Sequence, residues 1–272
     1  MKNTALLNLA ALLLCLAALP GCVSITSGPQ HITHNNATPT SGGFNMISLE
    51  EEIALGHREF AKVKAQKPRT RDASKQQTAQ RVLNRLVKAN NLQNAYPWEI
   101  VVFADNTPNA FALPGGKIGI HDGIFKYTKN DDGLAAVIGH EMVHITARHA
   151  TQRVSRQMTG GIVSAGLASI IAGGDPNMAR GLSEVFGIGA NVGVVLPYSR
   201  EAEFEADRIG VLYMARAGYD PEESLKVWRR FEKAGSHHPP QWLSSHPHTT
   251  ERIRQIEMNM PRYKSIYNNT RS

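Results

Sequence analysis

Two histidines and a glutamate in one short stretch have the types and spacing of a metal site. The stretch reads His140-Glu141-Met142-Val143-His144, so its histidines lie four residues apart. On a helix this spacing puts both imidazoles on one face, where they can converge on a single Zn²⁺. Glu141 can then act as general base on the attacking water and pass the proton to the leaving amine. The alternative is a solvated or core-edge pair of histidines without a metal.

A catalytic zinc site needs a third protein ligand and one open coordination position. The segment directly after His144 offers His149, but this residue follows five positions later and lies off the ligand face of a continuous helix. His149 is therefore predicted to be a non-ligand. The third ligand must come from farther along the chain.

Acidic side chains on a later predicted helix, from about Ser199 to Ala217, are the candidates for that ligand. Glu203 and Asp207 lie four residues apart and share one helix face. Glu203 can bind the metal, and Asp207 can accept the second ring N–H of a ligand histidine. Spacing alone does not choose between Glu203 and Glu201.

The H-E-x-x-H stretch and the later pattern S-R-x-x-E-x-E-A-D-x-x-G, which begins at Ser199, together resemble a known family. This is the HtpX and CAAX prenyl endopeptidase family of zinc metallopeptidases, in particular its periplasmic lipoprotein branch of LoiP and BepA type and the OMA-type proteases. The resemblance extends from about Ser48 to Met258. It implies a metalloendopeptidase with one Zn²⁺ per chain. It also implies that His140, His144 and Glu203 are the zinc ligands and that Asp207 is the hydrogen-bond partner of a ligand histidine.

A segment before the histidine stretch also matches this family. It begins with Asn109, Ala110, Phe111 and Ala112 and resembles the family's strand next to the zinc helix. An edge strand of this kind can bind an extended substrate backbone by strand addition.

A C-terminal element, Ser245-His246-Pro247-His248 followed by E-R-I, resembles the family's H-P-x-x-x-E-R-I element. The resemblance implies that His246 gates the site or stabilises the oxyanion, and the alternative is a surface histidine before a proline turn. Tyr198 and Arg200 are further candidates for contacts to the oxyanion.

The N-terminus has the pattern of an export signal. Lys2 precedes an apolar run, Ala5 to Leu19, that is too short to span a bilayer. The run ends in a sequence that resembles the bacterial lipobox, with Cys22 as the residue to be lipidated. We therefore expect a signal peptide at 1–21, a flexible tether at 22–47 and a peptidase domain at 48–272. The expected location is the bacterial cell envelope, at the periplasmic face of the outer membrane and anchored there by lipid.

Helical periodicity and turn signals predict the elements that position these residues. Predicted helices cover 48–64, a segment after Asp72, 134–157, 199–217, a segment after Asp220, and 250–258. A strand is predicted at 98–104 and a hairpin at 109–121. Two apolar stretches, 160–174 and 185–196, are expected to be buried helices or a flap, with membrane-surface contact as the alternative. The predicted fold class is α+β, mainly α, zincin-like, with a small antiparallel sheet beside the H-E-x-x-H helix.

Composition narrows the function classes. The chain has 272 residues, two cysteines and a formal charge of +7, which excludes a disulfide-stapled miniprotein and a disordered chain. A nucleic-acid partner is excluded by the export signal and by the lack of a binding motif. The leading hypothesis is an endopeptidase for misfolded or misassembled envelope proteins, with periplasmic protein or peptide substrates. The alternative is an envelope-assembly chaperone with a latent metal site.

Overall fold

The computed structural model describes residues 44–159, 197–235, 241–247 and 249–271. The predicted signal peptide, the lipidated Cys22 and most of the tether lie outside these residues and stay predictions. The two apolar stretches at 160–174 and 185–196 also lie outside them.

Helices dominate the described residues, and a small sheet lies among them, which confirms the α+β, mainly α, fold class. No helix in these ranges is long and apolar enough to cross a membrane. The helices are α1 (Leu49–Gln66), α2 (Ala73–Ala89), α3 (Phe125–Thr128), α4 (Asp131–Thr146), α5 (His149–Thr159), α6 (Arg200–Arg216), α7 (Glu222–Gly235), α8 (Gln241–Ser245) and α9 (Thr249–Asn269). The strands are β1 (Glu99–Phe103), β2 (Ala110–Leu113) and β3 (Lys117–His121).

Side-chain caps fix where the main helices begin, as the sequence predicts. Ser48 and Glu51 form a reciprocal capping box at the start of α1. Asp72 caps α2 and Ser199 caps α6, each through a side-chain oxygen that accepts a backbone N–H of the first turn. These caps satisfy N–H groups that have no partner inside the helix, and the cap at Ser199 fixes the start of the helix that carries Glu203 and Asp207.

The sheet is mixed, whereas the sequence predicts an antiparallel one. Its strand order is β1-β3-β2, with β2 and β3 antiparallel and β1 parallel to β3. The turn at 114–116 forces β2 and β3 to run in opposite directions. The segment that follows β1 carries the chain to the far side of β3, so that β1 runs parallel to it. Alternating apolar residues reveal a strand but carry no information about its direction.

The predicted helix at 134–157 is two helices. α4 ends at Thr146, and α5 begins at His149. Between them, Arg148 has a φ of +57°, a left-handed conformation that is uncommon for a residue other than glycine. The Nε of Arg148 donates to Oε2 of the buried Glu52 at 2.6 Å and so stabilises this break. The break depends on a partner far away in sequence, which is why helical periodicity does not reveal it.

The last helix is longer than predicted. The sequence predicts an end near Met258, just before Pro261, which lacks the N–H that would continue a helix. α9 instead passes through Pro261 and reaches Asn269. Met260 and Tyr263, on either side of the proline, are buried in the core, and their packing offsets the lost hydrogen bond.

The α4 helix lies at the centre of the core and packs against α2, α6 and α7. It meets α6 at two glycines, where a Cβ added to Gly139 would lie only 2.9 Å from the carbonyl oxygen of Gly210. This close approach of backbones brings the faces that carry His140 and Asp207 within hydrogen-bond distance of each other.

Candidate metal centre

Four buried side chains from three parts of the chain converge beside the α4–α6 crossing. His140 and His144 come from α4, Glu203 from α6 and His246 from the residue after α8. Their potential ligand atoms all lie within 4.8 Å of one another. Glu201, the competing candidate, is exposed. We refer to these four residues as the ligand cluster.

The spacing of the donor atoms suits a small tetrahedral metal ion. The Nε2 atoms of His140 and His144 are 3.0 Å apart. Glu203 lies 3.5 Å from each of them, through Oε2 to His140 and through Oε1 to His144. Tetrahedral ligands at the usual Zn–N and Zn–O distances are roughly 3.3 Å apart. Two imidazole nitrogens and a carboxylate, directed at one point, therefore fit zinc.

The protonation states also suit a metal. Burial, and then the neighbouring imidazoles, hold the pKa of His144 well below its usual range, so the ring is neutral. Burial alone would raise the pKa of Glu203, but the charges of His246 and Arg252 outweigh it and lower that pKa. Neutral imidazole and ionised carboxylate are the forms that bind metals.

Glu141 lies in the same buried space. Its Oε1 accepts a hydrogen bond from Nε1 of Trp242 at 3.3 Å, and Nε2 of His246 lies 3.3 Å from the same oxygen. Its Oε2 is buried and has no hydrogen-bond partner within the part of the chain that the structure describes. A buried carboxylate oxygen without a partner is costly, and a water molecule between Glu141 and a metal would satisfy it.

Asp207 holds the outer face of His140. Its Oδ1 lies 2.9 Å from Nδ1 of His140, and this contact leaves Nε2 of the same ring directed into the ligand cluster. Arg252 donates to both oxygens of Asp207, at 2.6 and 2.8 Å, and Trp228 donates to Oδ1 at 3.1 Å. These bonds and the charge of Arg252 lower the pKa of Asp207, although burial opposes them.

Arg252 is the main residue that the sequence prediction missed. Its guanidinium is fully buried, and it contacts Glu203 as well as Asp207. The E-R-I element contains it, but a single arginine in a helix is usually solvated, so only its burial reveals the role. Trp242 was missed for a similar reason, because its indole can be recognised as a partner of Glu141 only in the folded structure.

His246 lies inside the site and not on the surface. Its Nδ1 is 3.0 Å from Oε1 of Glu203 and 3.2 Å from Nε2 of His140. Burial disfavours its charge, but the carboxylates of Glu203 and Glu141 raise the pKa of His246 to about 9. The ring thus lies between the ligands and the candidate general base.

The two candidates for oxyanion contacts lie in different surroundings. Tyr198 is buried and stacks on the ring of His144, with ring centres 3.9 Å apart and 14° between the planes. Burial raises the pKa of its phenol, which therefore stays protonated. Arg200 is exposed at the start of α6, where its charge acts on Glu201 and Glu251, so the structure does not place it in the buried site.

The predicted substrate strand is an edge of the sheet. In the described sheet, β2 pairs on one side only, with β3. The N–H of His121 donates to the carbonyl of Asn109, which makes these two a hydrogen-bonded pair. Because such pairs alternate along an antiparallel ladder, the backbone groups of Ala110 and Ala112 point away from β3 and those of Phe111 point towards it.

Comparisons with known proteins agree with this geometry. Residues 73–259 match Peptidase family M48. The chain is 33% identical over 249 residues to the mitochondrial metalloendopeptidase OMA1 of Schizosaccharomyces pombe, which covers 89% of this chain and 71% of that protein. It is 37% identical over 186 residues to OMA1 of Saccharomyces cerevisiae, with 65% of this chain and 51% of that protein covered. It is 30% identical over 222 residues to the beta-barrel assembly-enhancing protease of Yersinia pestis, with 79% and 44% covered.

These matches contradict the predicted location in a bacterial outer membrane. The relatives from the two yeasts and a further one from Arabidopsis thaliana are mitochondrial metalloendopeptidases, not proteins of a bacterial envelope. The location was predicted from the N-terminal pattern alone, a charged residue followed by a short apolar run, and this is where the prediction was wrong.

Proposed function

Because the chain belongs to Peptidase family M48 and is a metalloendopeptidase, we propose that it uses one zinc ion per chain to hydrolyse peptide bonds of misfolded or misassembled proteins. The convergence of His140, His144 and Glu203 within the buried ligand cluster is the observation that carries this proposal. Bound zinc would supply Lewis acidity and would lower the pKa of water towards neutrality.

Each residue of the site has a distinct task in this proposal. His140, His144 and Glu203 hold the zinc, and Asp207 keeps the His140 ring oriented through its Nδ1. Glu141 takes the proton of the attacking water on its buried Oε2 and delivers it to the leaving amine. Burial and the nearby carboxylates of Glu141 and Glu203 raise the pKa of the Tyr198 phenol, so it stays protonated beside the site, which supports a contact to the oxyanion.

Substrate binds in this proposal by adding a strand to β2. The outward backbone groups of Ala112, which is partly exposed, can pair with an extended peptide, while Asn109 and Phe111 keep β2 attached to β3. In this binding mode the hydrogen bonds are made to the substrate backbone, so substrates with many different side chains can bind. It suits a protease that acts on unfolded segments of different sequence.

The role of Glu141 is tested by the substitution Glu141→Gln. The amide keeps the size of the side chain but cannot accept a proton, so kcat for casein hydrolysis should fall by roughly a thousandfold. Zinc content and the unfolding midpoint should stay close to those of the wild type. Glu50→Gln, at an exposed position of α1, is the matched control and should leave kcat unchanged. Hydrolysis at the wild-type rate by Glu141→Gln would overturn the assignment.

A second candidate function, a chaperone or binding protein with a latent site, is favoured by one observation. His246 lies within 3.3 Å of Glu141 and within 3.2 Å of both Glu203 and His140, so it fills space that a substrate and its attacking water need. The proposal that combines both functions is a protease whose site is closed by His246 until a substrate displaces it.

A further inference from the structure

His149 contacts a ligand of the proposed zinc although it is not itself a ligand. Its Nδ1 lies 2.9 Å from Nδ1 of His144, the nitrogen that points away from the ligand cluster. On its other side, Nε2 of His149 lies 3.2 Å from Oε2 of Glu205. His149 is only 4% exposed, so water does not compete freely for these contacts.

The break between α4 and α5 makes this contact possible. In a continuous helix, a residue five positions after His144 would lie well round the helix from it. The left-handed Arg148 turns the chain so that His149, the first residue of α5, faces back to His144. The ion pair between Arg148 and Glu52 offsets the backbone strain of this left-handed conformation.

The contacts among His144, His149 and Glu205 determine which ring nitrogen of each histidine carries the proton. If Nε2 of His144 is to bind a metal, its Nδ1 must carry the proton and donate to His149. Nδ1 of His149 then accepts, and its Nε2 carries a proton that it donates to Glu205. Every donor in this chain meets an acceptor, and the chain ends on a carboxylate.

We propose that His149, supported by Glu205, is a positioning residue that holds His144 in the tautomer and orientation needed to bind zinc. The inference rests on the proposed function, since it requires zinc at the ligand cluster. His149 does for His144 what Asp207 does for His140, with an imidazole in place of the direct carboxylate. Stacking on Tyr198 fixes the plane of the His144 ring, and the hydrogen bond fixes its rotation within that plane.

Two substitutions of nearly equal shape separate this role from simple packing. Asn in place of His149 keeps an oxygen close to the position of Nδ1 and can accept from His144. Leu has the same branched shape but no acceptor. Zinc affinity, measured by competition with a chromophoric chelator, should fall about 10- to 100-fold in His149→Leu and stay within about threefold of wild type in His149→Asn.

Control measurements distinguish the possible failures. Equal zinc affinity in wild type and His149→Leu, or equal loss in His149→Leu and His149→Asn, would overturn the inference. A wild-type protein that binds no zinc would instead overturn the proposed function. Unfolding curves of the metal-free variants show whether each is folded, and an exposed position on α6, Glu201→Leu, provides a control that should leave affinity unchanged.

A spectroscopic measurement tests the inference even where His149→Leu does not fold. Nitrogen-15 NMR of the folded wild-type protein with zinc reports which ring nitrogen of His144 carries the proton. A proton on Nδ1 that is hydrogen-bonded to His149 supports the inference. A proton on Nε2 of His144 contradicts the inference, and so does the absence of nitrogen–nitrogen coupling across a hydrogen bond between His144 and His149.

Discussion

At the scale of single residues, burial decides between side chains that the sequence presents as equals. Glu201 and Glu203 are two positions apart in one acidic helix, and spacing left both as candidates. Only Glu203 is buried beside the histidines. The H-E-x-x-H group could be predicted because its spacing alone places both imidazoles on one face. Arg252 could not, since its partners lie 45 and 49 residues away in sequence.

His246 provides a prediction at the same scale. Its ring lies against Glu203 and Glu141, so its removal should open the site to substrate. His246→Ala should raise kcat/KM for casein by roughly fivefold, equivalent to about 1 kcal/mol. Initial rates at low substrate concentration measure this change.

The exposed His57 on α1 offers the matched control for this experiment. His57→Ala should leave kcat/KM unchanged. A fall of tenfold or more in His246→Ala would contradict the gating role and would favour a direct contact between His246 and the oxyanion.

At the scale of elements, structural features that depend on neighbouring residues could be predicted from the sequence. Features that depend on distant residues could not. Caps such as Ser48 and the turn at 114–116 act within a few residues, and the helices and hairpin that they define are present. The parallel pairing of β1 depends on the path of the chain after it. The left-handed Arg148 depends on Glu52 in another helix. Neither the parallel pairing of β1 nor the left-handed Arg148 could therefore be predicted from the local sequence pattern.

The prediction at the scale of elements concerns substrate binding at the outer edge of β2. Ala112→Pro removes an N–H that points away from β3, so it should weaken substrate binding without breaking the ladder to β3. Loss of one backbone hydrogen bond should lower kcat/KM by roughly tenfold, or about 1.4 kcal/mol. Kinetics with an extended fluorogenic peptide measures the effect.

Two further substitutions serve as controls for the Ala112→Pro experiment. Ala112→Val keeps the N–H and should stay close to wild type. Phe111→Pro removes an N–H directed at β3 and should lower the unfolding midpoint as well as activity. Wild-type kcat/KM in a folded Ala112→Pro protein would contradict substrate binding at this edge.

At the scale of the whole molecule, the family match and the site cover the same part of the chain. Residues 73–259 include every member of the ligand cluster as well as Asp207 and Arg252. Composition could exclude broad classes but could not fix a location, and the predicted bacterial envelope was contradicted by mitochondrial relatives. The chain spans about half or less of two of the relatives reported above, so substrates and partners of the whole protein remain proposals.

The central claim is that hydrolysis depends on one zinc ion held by His140, His144 and Glu203. The most direct test measures the zinc content and the casein hydrolysis of the same preparation before chelation, after chelation and after zinc is restored. We expect one zinc per chain at the start, loss of both zinc and activity on chelation, and recovery of both together. Undiminished hydrolysis by the metal-free protein would contradict the claim.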